Sequence, residues 1–70
     1  MEIIFTEHAE ERIKKRKITK EEILEAIKYP DNLRKEENKY YLQKNLVRAK
    51  IEIVYEKSDN YINIITIYYI

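Results

Sequence analysis

His8, Arg12 and Arg16 recur at intervals of four residues, which on a helix turning about 100° per residue stacks them into one stripe. The stripe holds the chain's only imidazole. Neither arginine has an acidic residue one turn away on its own helix, whereas Glu10 meets Lys14 and Glu11 meets Lys15 in the favourable acid-before-base order. Something else must answer the guanidinium charge. A phosphate is one answer, because the guanidinium fork matches its oxygens in a bidentate way; water, or a carboxylate of Glu21, Glu22 or Glu25 in the next helix, is the plainer one. A neutral imidazole at a helix start could act as a general base, although histidines there commonly serve as surface or capping residues.

The element that carries this stripe is an amphipathic helix within Phe5 to Ile18. Phe5, Ala9 and Ile13 form its apolar stripe beside the basic one, with Thr6 as N-cap and Glu2 to Phe5 leading in as a short strand. The helix should end near Lys17, where glycine would be the usual turning residue. A second helix starts at Thr19, whose capping box is completed by Glu22 and whose staple runs from Ile18 to Ile23; it ends at Tyr29 before Pro30. From Asp31 the pattern changes to period two, with Asp31, Asn32, Asn38, Asn45, Asp59 and Asn60 taking the turns. Leu33 to Glu36 suits an edge, Lys39 to Lys44 follows, and the run from Val47 alternates as a half-buried strand with Arg48 on its polar face. In the last run, Tyr61 to Ile70, regular alternation sets Ile62, Ile64 and Thr66 against Ile65, Ile67 and Tyr69. The expected class is α+β: a short N-terminal strand, two helices, then a three-stranded antiparallel meander with the helices packed on one sheet face. The other face would carry Arg48, Lys50, Tyr41, Tyr68 and Tyr69, a mixture suited to RNA phosphates and unstacked bases, or else tyrosines that simply pack.

Composition excludes much other chemistry. At 70 residues the chain makes a single domain (1–70) that buries only about 60% of its unfolded surface. Fourteen basic and 13 acidic residues leave a net charge of +1, so only local segregation of charge is informative. Without cysteine there is no disulfide, thiolate nucleophile or zinc finger, and a lone histidine cannot build a multi-histidine metal site. Without glycine there is no P-loop or dinucleotide fingerprint, so neither metal nor nucleotide cofactor is expected. No apolar run approaches a membrane span and MEIIFTEHAEE lacks the form of a signal peptide, which points to the cytoplasm.

The stretch FTEHAEERIKKRKITKEEILEAIKYPDNL resembles the opening of domain-of-unknown-function family 4258, with its H-A-x-x-R-x-x-x-R-x-I pattern followed by a helix and a proline. His8, Ala9, Arg12, Arg16, Ile18 and Pro30 fit it, as do Arg48, Thr66 and Tyr68 in the later strands. Glycine often follows the second arginine in that family; Lys17 stands there here. Members look like small relatives of the RelE and ParE toxins, whose superfamily includes metal-independent ribonucleases restrained by antitoxins. The resemblance thus implies a RelE-like fold and an endoribonuclease acting on messenger RNA, at the ribosome or free, with an antitoxin partner. In that chemistry His8 would be base or acid, Arg12 and Arg16 the phosphate clamp, Arg48 a second phosphate contact and Tyr68 a complementary acid, leaving a 2′,3′-cyclic phosphate. Lys15, Lys50, Tyr41 and Thr66 would add RNA contacts. The alternative is a non-catalytic module binding RNA or protein through the same groove. A free sheet edge on so small a domain also favours a homodimer or a cognate partner.

Overall fold

The computed structural model describes residues 2–70. The elements run β1 (Glu2–Phe5), α1 (Glu7–Arg16), α2 (Lys20–Lys28), β2 (Asn32–Glu36), β3 (Lys39–Asn45), β4 (Lys50–Lys57) and β5 (Tyr61–Tyr69). The strands form one five-stranded mixed sheet in the order β1-β5-β4-β3-β2. This overturns the expected three-stranded meander. All four period-two runs after Asp31 pair as strands, antiparallel from β2 to β5, and β1 adds a fifth by pairing parallel with β5 from Glu2↔Tyr61 to Phe5↔Ile64.

Local chemistry explains where the helices begin and end. The Thr6 side chain accepts from the Ala9 N–H at 3.0 Å and starts α1. Lys17 ends it in the left-handed region (φ 55°, ψ 42°), with its own N–H reaching Lys14 O at 3.4 Å and the Ile18 N–H reaching Ile13 O at 3.1 Å. That is a Schellman closure made without glycine, and both Ile13 and Ile18 are buried beneath it. Thr19 and Glu22 complete a capping box for α2. In the two-residue turn between β2 and β3 the positive φ falls on Glu37 (57°), not on Asn38 as the turn propensities suggest.

Ile23, Leu42, Ile51, Ile53, Ile64 and Ile67 are fully buried, each worth about 1.5–3 kcal/mol of burial. They share one core with Ala9, Ile13 and Ala26 of the helices. A β-bulge makes this possible. Val54 pairs with Thr66 but Tyr55 pairs with Ile64, so Ile65 is an extra residue that resets the alternation of β5. Ile64 and Ile67 both reach the core, and Thr66 does not share the face of Ile62 and Ile64 as regular alternation requires. Thr66 and Tyr68 lie on the opposite, open face beside Val54 and Glu52.

The helices also depart from a simple layer on one face. β1 ends opposite Ile64, so the rest of β5 has no strand on that side. There α1 takes its place: the Thr6 N–H donates to Ile64 O at 3.1 Å, the Thr6 hydroxyl to Ile65 O at 3.0 Å and Arg16 Nη1 to Ile67 O at 2.7 Å. The edge carbonyls that would otherwise face water are satisfied by a helix.

Candidate functional site

The stripe on α1 meets β5 where the bulge turns Thr66 outward. His8 Nε2 lies 3.1 Å from the Thr66 hydroxyl and 3.3 Å from Arg12 Nε, with the imidazole exposed and Arg12 and Thr66 half-buried. A guanidinium N–H only donates, so the Arg12 contact is a hydrogen bond in the tautomer that carries the ring proton on Nδ1. The result is a surface imidazole with its basic nitrogen beside a cation and a hydroxyl. Arg12 has no carboxylate within ion-pair reach among the described residues.

Among the described residues Arg16 also lacks a carboxylate, but its guanidinium donates to the carbonyl of Ile67. The α2 acids answer a different arginine. Arg48 lies in the β3–β4 loop, ahead of β4 rather than on its polar face, and grips Glu22 through two bonds of 2.7 and 3.0 Å. It also donates to Lys17 O at 3.1 Å, tying the loop to the turn between the helices. The Arg48 hydrogen bond, aided by the backbone N–H of Thr19, holds the Glu22 carboxyl down at about 2. The same pair pushes Arg48 above its ordinary value. Arg48 is thus a strut between loop and helices, remote in partners from His8. Glu21 and Glu25 form no ion pair among the described residues.

Tyr68 is the next residue on the open face of β5 after Thr66, about 7 Å along the strand. Its hydroxyl donates to Glu52, and that bond, with burial, pushes the phenol up to about 12. Glu52 is only 6% exposed, takes a further bond from Gln43 Nε2 at 3.3 Å and forms an ion pair with Arg34 at 3.6 Å. Arg34 in turn covers the Tyr41 ring at 4.5 Å. The Tyr41 ring is therefore occupied by a cation, and the Tyr68 proton is held by a carboxylate. Among the other candidate RNA contacts, Lys50 is exposed at the start of β4 and opposite Asn45, while Lys15 pairs loosely with Glu11 at 3.8 Å on the solvent side of α1. Glu10 reaches Lys20 at 2.9 Å instead of Lys14.

The structure therefore brings together His8, Arg12 and Thr66, places Tyr68 alongside, and leaves Arg48, Lys15 and Lys50 elsewhere. Glu52, Arg34 and Gln43 were not singled out by the sequence pattern. An acid in the middle of the apolar run Ile51 to Tyr55 was the available signal, since a carboxylate so placed must find partners. Among the described residues there is no cluster of three metal-ligating side chains, and no helix is long and apolar enough to cross a membrane.

Comparison with curated proteins and with solved structures finds no match. The sequence model of Domain of unknown function (DUF4258) matches residues 5–69, from the last residue of β1 to the end of β5 and including the α1 stripe, and the chain belongs to that family.

Proposed function

We propose that the protein is a metal-independent endoribonuclease of the messenger-RNA-cleaving type found among RelE- and ParE-like toxins, acting in the cytoplasm. The reading rests on the exposed His8 imidazole, whose Nε2 lies between the Arg12 guanidinium and the Thr66 hydroxyl. In this reading His8 Nε2 accepts the proton of a ribose 2′-hydroxyl, and the 2′-oxygen attacks the adjacent phosphorus. Arg12 stabilises the charge that grows on the phosphate oxygens, and the 5′-oxygen leaves with a proton from water. The products are a 2′,3′-cyclic phosphate and a 5′-hydroxyl. DNA, lacking the 2′-hydroxyl, is inert. An antitoxin protein is the natural restraint, and the exposed β2 edge offers it, or a second copy of the chain, a strand to pair with.

A second reading is favoured by the commitments of the neighbouring groups. Arg16, Arg48 and Tyr68 are all engaged within the fold, which suits a site that binds an RNA phosphate without turnover. Incubating the protein with labelled single-stranded RNA in EDTA, beside His8→Ala, separates the two. Cleavage by the wild type alone with cyclic phosphate ends supports the ribonuclease. Salt-sensitive binding that depends on Arg12, with intact RNA at or away from ribosomes, supports the binding module and sinks the enzyme.

A further inference from the structure

The basic stripe divides by role. His8 and Arg12 have polar atoms directed at each other and at Thr66 on the surface, whereas Arg16 is engaged in a reciprocal pair with β5. Its Nη1 donates to Ile67 O at 2.7 Å, and its own carbonyl accepts from the Tyr69 hydroxyl at 2.6 Å. The side chain of each residue is thus fastened to the backbone of the other element. At the opposite end of α1, Thr6 makes a matching double attachment, through its N–H and its hydroxyl, to Ile64 and Ile65. The β5 residue between these two anchorages, Thr66, is the one His8 touches.

The distances have a simple consequence. Ten residues of α1 span about 15 Å, and α1 is held to β5 by polar bonds at its two ends with His8 and Arg12 between them. The 3.1 Å approach of His8 to Thr66 has no backbone pairing of its own to maintain it. Releasing the C-terminal anchorage leaves α1 attached to β5 by Thr6 and by the packing of Ala9 and Ile13, while buried Ile18 and the Arg48 bond to Lys17 O hold the turn beyond its end, so the helix can shift from the edge by an amount small for folding but large for a hydrogen bond.

We infer that Arg16, together with Tyr69, is a positioning device for the His8–Arg12–Thr66 site, and that Arg16 does not itself contact the phosphate. The inference rests on the functional reading above but can fail independently of it. Tyr69→Phe breaks half of the anchorage without changing any charge near RNA, and Arg16→Ala breaks the other half.

The test is the tautomer of His8, read from long-range proton–nitrogen correlations of the imidazole in protein without RNA, alongside RNA cleavage or binding by the same variants. In the wild type the spectrum should report a proton on Nδ1. Both Tyr69→Phe and Arg16→Ala should give a mixture of tautomers while the α1 and β5 amides stay dispersed. Where cleavage is measured, both should lose turnover on the order of 10²-fold with little change in KM, because misplacement by about 1 Å costs that much. An unchanged tautomer in both variants overturns the positioning role whether or not the protein cuts RNA. So does an Arg16→Ala variant that binds RNA far more weakly while Tyr69→Phe binds as the wild type does, since Arg16 would then be touching the phosphate.

Discussion

At the scale of single residues, the Glu22 carboxylate and the Tyr68 phenol decide how the protein should respond to pH. Glu22 titrates near 2 in the folded chain because Arg48 and the α2 N-terminus favour its charged form. A depressed acid contributes stability above its unfolded value, near 4.5, and loses it as the pH falls toward the folded value. Glu22→Gln keeps a capping-box residue but loses the Arg48 pair, and should melt roughly 2–5 °C below the wild type at neutral pH. Melting curves taken between neutrality and strong acid should show that gap closing across the window from 4.5 to about 2. Tyr68 behaves in the opposite sense. Its proton is held by Glu52 up to about 12, so its contribution is complete below 10 and lost as the pH rises through 12. Glu52→Ala should cost about 1–3 kcal/mol in urea titrations, because it strips Tyr68 and Gln43 of their acceptor and leaves Arg34 with Glu36 alone. The phenol of Tyr68 should then titrate closer to 10.

At the scale of elements, the chain makes its tightest turns without glycine. Lys17 and Glu37 both sit at positive φ, which costs an ordinary residue about 1–2 kcal/mol and is only partly offset by the lower chain entropy it sacrifices relative to glycine. Lys17→Gly and Glu37→Gly should therefore each raise stability by about 0.5–1 kcal/mol in denaturant titrations. A loss of stability in Lys17→Gly would show that the lysine side chain, and not only the backbone, holds the interhelix turn. The end of α1 was legible from the need for a turning residue after Arg16, and the start of α2 from Thr19 and Glu22, because caps are chemistry between residues a few positions apart. The phase of β5 was not. Its bulge at Ile65 exists because Ile64 and Ile67 must both fill the core opposite β4, and nothing within β5 alone requires it.

At the scale of the whole molecule, the two sheet edges are treated differently. One is the four-residue β1, continued along β5 by the α1 contacts, while β2 is exposed along all five residues and carries Arg34, Lys35 and Glu36. Charged side chains on an open edge discourage indiscriminate pairing. Asn32→Val combined with Lys35→Val should make the protein associate as its concentration rises, seen as larger species in sedimentation velocity where the wild type stays small. An unchanged profile would mean that backbone twist, rather than charge, protects that edge.

The amino-acid order by itself determined what is local: the helical register that aligns His8, Arg12 and Arg16, the caps at Thr6 and Thr19, and the period-two runs after Asp31. Only the tertiary structure decided how many strands pair, that β1 joins β5 in parallel, and which arginine meets which partner. Side-chain spacing along a helix follows from a fixed rotation per residue, whereas pairing across fifty residues depends on which surfaces are left unsatisfied once the core has formed. Arg12 and Arg16 look alike in the stripe. They diverge because β1 stops opposite Ile64 and leaves the carbonyl of Ile67 for Arg16 to cap, while Arg12 faces the imidazole.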